Sequence, residues 1–437
     1  MSGETWKRQT YWSLPVYTGD VSGVCSALYE LGGMVVMHDP SGCNSTYNTH
    51  DEIRWMEMES LIFLSGLKDI DAITGNDRKL IDDIAEAARA FHPAFIAIAN
   101  SPVPWLIGTD FRSVCNAVRQ ETGIPAFHVE TNAMHDYTYG AGHAFLELAR
   151  MLFDEEDAAR DAGDGKKDAP DRESGPVQTD ARSRESGPVQ KDAPDRESGS
   201  GQREDACGTS GPGRLLVNVL GMTPLDFTVR SQVQTLRELL SGYGFDTVSV
   251  WGIGDGLECL KKAPEADVNL VVSSAGMMSA RYLEERFGIP YVAGVPIGAF
   301  TDTLMRSLAD AAASGKSRIA YLDVLETVRS REAGARSSRA VAGESVTMGS
   351  VAASLALTDG NGCDIVCLTE ETQSLLGSRD TKVQGEAQIR QVLGGYDEVT
   401  ADPMLRHVCR KDALFHELPH FAYSGRLYLG KIPTLIG

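Results

Sequence analysis

Outside one interruption, the chain alternates short apolar runs with amphipathic stretches. Residues 94–99, Ala-Phe-Ile-Ala-Ile-Ala, form the brief continuous apolar run of a strand buried on both faces. Just before them, residues 77–91 set Leu80, Ile81, Ile84, Ala88 and Phe91 along one face of a helix. Residues 34–37 and 124–129 read as further strands. The rhythm resumes with a strand at 215–220, an amphipathic helix at 228–243 and strands at 247–251 and 268–272. A third round opens with a strand at 318–322 and continues through a turn and helix at 343–358 to a strand at 364–368. Strands alternating with helices predict parallel sheets joined by right-handed crossovers. The expected architecture is α/β, with three Rossmann-like domains, their parallel sheets set around a central cleft. The expected domains span 1–153, 214–314 and 315–437, with ligands at the carboxyl ends of the strands.

The interruption, residues 154–213, carries almost no large apolar side chain. It holds sixteen acidic and nine basic residues and repeats itself: residues 172–178 recur at 184–190, and 167–175 at 191–199. Such a segment buries too little apolar surface to offset its chain entropy, so it reads as a disordered, duplicated acidic insertion.

With 437 residues and 42% apolar content, the chain has room for more than one core. Its formal net charge of −20 argues against nucleic acid and against an anionic membrane surface as partners. No stretch has the roughly 18 uninterrupted apolar residues of a membrane span. The first residues lack the charged-then-apolar layout of a secretory signal, so the expected location is the cytoplasm. Eight cysteines stand at 25, 43, 115, 207, 259, 363, 367 and 409, without a CxxC pair. That spacing argues against a self-contained zinc site or ferredoxin-type cluster. Most of these thiols read as buried small hydrophobes, and any cluster has to be assembled across space.

Residues 22–44 read as helix, strand and then a loop with Cys43 just past the strand end. Gly42 permits a close turn and Pro40 ends the strand. A thiol there, ahead of a helix N-terminus, is placed for a lowered pKa and metal ligation; the alternative is a structural cysteine.

The motif His38-Asp39-Pro40-Ser41-Gly42-Cys43 resembles the His-Gly-Pro-x-Gly-Cys element of nitrogenase component 1 chains, in which the cysteine ligates the P-cluster. The segment Gly75 to Leu80, followed by Phe91-His92-Pro93, is similar to that family's Gly-x-x-x-Lys-Leu helix and its Phe-x-Pro approach to a strand. Ile107-Gly108-Thr109-Asp110 resembles the Ile-Gly-Asp-Asp after another cluster cysteine. Residues 343–350 look like the third-domain turn of nitrogenase-like subunits. Ala401-Asp402-Pro403 and the run from Leu418-Pro419-His420 to Ser424-Gly425-Arg426 look like their tail. These matches span everything but the repetitive insertion.

Two departures limit what the resemblance implies. No cysteine lies near Tyr17-Thr18-Gly19, and Pro102 stands where a second cluster cysteine is expected. A full P-cluster is therefore not expected. The resemblance implies instead a [4Fe–4S] iron–sulfur cluster shared between subunits. Cys43 would be this chain's ligand, with Gly42 and Asp39 around it. The remaining ligands would come from a homologous component 1-like subunit, in a hetero- or homodimer, or from an oxygen donor such as Asp39 or Asp20. Cys25 is the second candidate; its place on an apolar helix face favours the core. An ATP-dependent iron protein would supply electrons. No counterpart of the cysteine–histidine pair that holds the nitrogenase cofactor is found, so dinitrogen reduction is not expected. The alternatives are a cofactor-assembly scaffold and a cluster-free binding protein of the same fold.

Three further residues are candidates for chemistry. His420 and Arg426 flank an aromatic loop and could bind an anionic substrate, or merely pack the tail down. Glu344 could line the cleft or cap the helix that follows. Residues 252–256, Gly-Ile-Gly-Asp-Gly, lack the full dinucleotide-loop spacing, and no Walker A sequence is present.

Overall fold

Three parallel sheets, each wrapped by helices, make up the computed structural model, which describes residues 14, 18–40, 52–164, 213–228, 231–332, 337–370 and 373–437, excepting the side chains of 155–164 and 373. The first unit runs α1 (Asp20–Leu28), β1 (Met34–His38), β2 (Leu61–Leu64), α2 (Asp69–Thr74), α3 (Asp77–Phe91), β3 (Ile96–Asn100), α4 (Pro102–Ile107), α5 (Phe111–Thr122), β4 (Ala126–Val129) and α6 (Tyr137–Asp164). The second runs β5 (Leu215–Leu220), α7 (Ser231–Gly242), β6 (Phe245–Val250), α8 (Leu257–Leu260), β7 (Val268–Val271), α9 (Met277–Phe287), β8 (Tyr291–Ala293), α10 (Thr301–Ser314), β9 (Arg318–Ile319) and α11 (Ala320–Arg329). The third comprises β10 (Arg339–Gly343), α12 (Ser345–Asp359), β11 (Asp364–Cys367), β12 (Thr381–Lys382), α13 (Gly385–Leu393), β13 (Glu398–Ala401), β14 (Leu414–Glu417) and α14 (Phe421–Ser424).

The sheet orders are β2-β1-β3-β4, β6-β5-β7-β8-β9 and β12-β11-β10-β13-β14, and every pairing is parallel. The three-sheet α/β expectation thus holds. Only the third sheet has the Rossmann order; the first two share the flavodoxin-like order, in which the second strand lies outside the first. In all three, strand order reverses beside the first strand, giving crevices at β1/β3, β5/β7 and β10/β13. The core strands β1, β3, β7, β10 and β11 are buried at every position, as both-face coverage requires.

One expected strand is corrected. Only Arg318 and Ile319 pair, and they extend the second sheet beside β8 rather than opening the third. From Ala320 the chain is helical. Its buried side chains, Ala320, Tyr321, Val324, Leu325 and Val328, recur at helical spacing that a five-residue apolar window does not reveal. Helix α6 continues to Asp164, beyond the expected start of the insertion. The repeats themselves lie outside the described residues.

Close backbone contact fixes α1 on α6. A Cβ on Gly23 would lie 2.2 Å from the Tyr137 carbonyl oxygen, and one on Gly140 would lie 1.9 Å from that of Asp20. Only glycine at both positions lets the helices meet this closely. Asp20 reinforces the contact: its carboxylate accepts the backbone N–H groups of Val21, Asn132 and Ala133 at 2.7–3.1 Å. Its two oxygens thereby tie the start of α1 to the loop after β4.

Candidate functional site

Asp226 follows β5 at the carboxyl edge of the second sheet, and its carboxylate gathers donors from all three units. The hydroxyl of Tyr137, from the start of α6, donates to Oδ1 at 2.5 Å. Thr223 Oγ1 donates to Oδ2 at 2.9 Å. His420, just past β14, sets Nε2 3.2 Å from Oδ1. The backbone N–H of His420 is held at 2.8 Å by Asp402, itself at the end of β13. Asp226 and His420 are 4% and 5% exposed, so water cannot substitute for these partners.

Glu344, immediately after β10, joins the second and third units. Its carboxylate caps α12, accepting the N–H groups of Val346 and Thr347 at 3.1 and 2.8 Å. It also accepts the N–H of Ser274, just past β7, at 2.9 Å. The capping reading describes this residue, and its bond to Ser274 adds a tie between the second and third units. Burial, and then the nearby charge of Asp226, raise its pKa; three backbone N–H groups oppose the shift. Tyr137 and Tyr423 are held well above the usual phenol value, first by burial and then by neighbouring carboxylates. Both stay protonated. Four polar atoms around these residues are buried without a partner among the described residues: His420 Nδ1, the Tyr423 hydroxyl, Thr347 Oγ1 and Ser274 Oγ.

Further across the same edge, Asp136 caps the start of α6 and also accepts the N–H of Glu370, past β11, at 2.6 Å. His135 Nδ1 lies 2.7 Å from Glu370 Oε2. The carboxyl ends of β4, β5, β7, β10, β11, β13 and β14 thus meet in one largely buried polar junction, which includes the reversal points β5/β7 and β10/β13.

Cys43 and Gly42 lie outside the described residues; the ends of their loop do not. At one end, His38 Nδ1 is 2.8 Å from Ser65 Oγ, and the buried Asp39 bonds through its backbone to Ser65 Oγ and the N–H of Leu67. At the other, the fully buried Glu52 takes Arg54 Nε at 2.7 Å and Nη2 at 3.0 Å, and Ser26 Oγ at 3.1 Å. Arg54 continues to Glu30 at 3.1 Å and to the Gly252 carbonyl at 3.3 Å, locking the first unit to the second. Arg426 donates to the Glu52 carbonyl at 3.0 Å. The structure therefore gives His420 and Arg426 different tasks: one joins Asp226, the other the Glu52 carbonyl.

Cys25 is fully buried in the apolar core, and burial, followed by the charge of Glu52, raises its pKa far above the usual thiol value. Its position serves packing. Among the described residues no three His, Cys, Asp or Glu side chains converge as a metal site. Cys115, Cys363 and Cys367 are likewise buried. Among the described residues, the donors do not fit a self-contained four-thiolate cluster. No described helix is long and apolar enough to cross a membrane.

Asp226, Tyr423 and Ser274 were not singled out as sequence candidates. Asp226 had a legible signal: it closes a Gly221-Met222-Thr223-Pro224-Leu225 loop directly after the strand at 215–220.

The fold and the junction define a class: α/β proteins of three flavodoxin- or Rossmann-like units, with a polar site where their strand ends meet. A family model described as nitrogenase component 1 type oxidoreductase matches residues 23–358. The chain belongs to that family. It is similar over 83 residues, at 40% identity, to one subunit of the light-independent protochlorophyllide reductase of Zygnema circumcarinatum, and over 85 residues, also at 40%, to the same subunit from Prosthecochloris aestuarii. Each match covers 19% of this chain and only 16% of the relative's length. Among solved structures, nitrogenase Cp1 at pH 6.5 aligns with a TM-score of 0.50 at 16% identity, covering 84% of this chain and 64% of that one. Cp1 at pH 5 aligns with a TM-score of 0.50 at 15% identity, over 92% and 72%. These structures share the fold.

Proposed function

We propose that this chain is one subunit of a nitrogenase-like oxidoreductase, reduced by a separate ATP-dependent iron protein and acting on a substrate held at the three-sheet junction. Cys43 would contribute this chain's thiolate to a [4Fe–4S] cluster shared with a homologous subunit. When bound, that cluster accepts and passes on single electrons. The chain's own residues do the rest. Glu52 and Arg54 anchor the chain just after the Cys43 segment, Asp226 and Glu344 tie the three units together, and His420 with Tyr423 offers polar atoms to a bound molecule.

The observation that carries this reading is Asp226, one buried carboxylate taking donors from all three units at the strand ends where ligands enter such folds. The companion subunit has support of its own. The strands flanking β1 lead to α2 and α4, on which Ile70, Ile73, Trp105, Leu106 and Ile107 stand 45–81% exposed. Exposed apolar side chains on two helices that follow neighbouring strands of one sheet suit a surface covered by another protein.

Anaerobic co-purification with a component 1-like companion tests the reading. Iron should be present and fall sharply in Cys43→Ser, and a matching iron protein with ATP should bleach the thiolate-to-iron absorption. Iron-free complex would favour the cluster-free binding protein, for which the burial of Cys25 and the proline at position 102 already argue. Iron that ATP and reductase leave oxidised would favour the assembly scaffold.

A further inference from the structure

His420 and Tyr423 lie one helical turn apart at the end of the third sheet, their ring centroids 5.0 Å from one another. Asp226 decides how the histidine presents itself. Its Oδ1 already accepts the Tyr137 hydroxyl and its Oδ2 that of Thr223, so the carboxylate is an acceptor in this network. At 3.2 Å, the Nε2 of His420 is then the donor. In the neutral imidazole one nitrogen donates and the other accepts, which leaves Nδ1 as a bare acceptor. That atom is buried and has no partner among the described residues, and neither has the Tyr423 hydroxyl. Buried polar atoms left in this state cost about 1–3 kcal/mol each, so two neighbours point to something that satisfies both.

We propose that the junction binds a small uncharged group that donates a hydrogen bond to His420 Nδ1 and accepts one from the Tyr423 hydroxyl, with Asp226 as the positioning residue that fixes the histidine tautomer. A hydroxyl, a primary amide or a protonated acid meets both demands. An ionised carboxylate fails the first, because it has no proton to give. It is further repelled by Asp226 and Glu344, two buried acids at the same junction. This selectivity runs opposite to the anion site that His420 and Arg426 suggested together, since Arg426 turns to the Glu52 carbonyl. The inference rests on the junction as the ligand site of the proposed oxidoreductase, but not on the iron.

The full chain labelled with [15N]histidine tests it, with His420 assigned by the signal lost in His420→Gln. Long-range proton–nitrogen correlation should show Nε2 protonated and Nδ1 bare; a protonated Nδ1 in the neutral ring overturns the proposal without any variant. Asp226→Asn should mix the tautomers. An unmixed signal in that variant, with near-ultraviolet dichroism unchanged, removes Asp226 from the account. Acetamide titrated at neutral pH should shift the His420 nitrogens, with roughly two- to tenfold weaker binding in Tyr423→Phe. Acetate should shift them far less. Acetamide without effect, or acetate equal to it, sinks the ligand class. Iron content does not enter this readout, so the proposal and the electron-transfer reading fail separately.

Discussion

Arg54 grips Glu52 with two nitrogens, Nε at 2.7 Å from Oε1 and Nη2 at 3.0 Å from Oε2, and both side chains are buried. The pair follows the segment that carries Cys43 and crosses to the second unit at Gly252. Truncating the arginine leaves two buried carboxylates, Glu52 and Glu30, without their charge partner. Arg54→Ala should cost about 3–5 kcal/mol in urea unfolding, whereas Arg54→Met with both Glu52→Gln and Glu30→Gln should recover much of that loss. Equal losses in the single and triple variants would show that the charge cluster is not what stabilises this corner.

The cysteines divide by environment. Burial holds Cys115 and Cys363 up at about 12 and Cys25 higher still, so none carries a useful thiolate fraction near neutrality. Native chain treated with iodoacetamide at neutral pH, then digested and weighed, should keep these three unmodified. Cys25→Ala should leave iron content as it is and lower stability by about 1–2 kcal/mol, the scale of a small buried truncation. Loss of iron in Cys25→Ala, at unchanged fold, would promote that residue to a ligand.

Gly140 should tolerate no side chain. A methyl there would sit 1.9 Å from the Asp20 carbonyl oxygen, and the obstacle is backbone that cannot rotate away. Gly140→Ala should separate α1 from α6 and lower stability by about 1–3 kcal/mol or more, although alanine is the better helix former. A variant as stable as the parent in thermal unfolding would mean that the two helices do not touch this closely.

Much of the fold was legible because buried parallel strands advertise themselves. The runs at 34–37 and 94–99 are apolar throughout, those at 215–220 and 268–272 are broken only by Asn218 and Asn269, which bond to each other, and each run falls on a strand. The edges are less regular: β12 is only two half-buried residues, whereas β2, Leu61–Leu64, is as apolar a run as β1 although its residues are only half-buried. The site was only half legible for a different reason. Glu344 and His420 were recognisable from their neighbours in sequence, but Asp226 acquires its meaning from Tyr137 and His420, 89 and 194 positions away. No local pattern encodes that meeting. Likewise, nothing near Arg426 announces its bond to the Glu52 carbonyl, 374 positions away.

His128 should shape the acid limb of stability. Its ring stacks on Phe111 at 4.4 Å, its Nε2 lies 2.7 Å from Asn100 Oδ1, and burial lowers its pKa from 6.5 to about 4. A histidine kept neutral by folding stabilises above its unfolded pKa, and that contribution is lost as pH falls from 6.5 toward 4. His128→Gln cannot titrate. The parent's advantage over this variant should shrink by about 1–3 kcal/mol across that window, after allowance for the ring's partial exposure. A constant difference would mean that the ring is equally free to protonate in both states.

Glu344 should act with the opposite sign. Its folded pKa lies above 4.5, so between that value and the raised one the folded chain holds a proton that the unfolded chain has released. Stability therefore falls as pH climbs through the window, and above it the full cost of the buried charge remains. Glu344→Gln keeps a side-chain oxygen for the α12 cap but has no charge to bury. Below pH 4.5 the parent's side chain is the neutral acid, which meets the N–H groups of Ser274, Val346 and Thr347 without charge as the amide does, so there the two should be about equally stable. As pH rises the balance should swing toward the variant, by an amount that urea midpoints collected at successive pH values would give directly. A swing toward the parent instead would mean that the three N–H groups outweigh burial, making Glu344 a carboxylate that the junction stabilises.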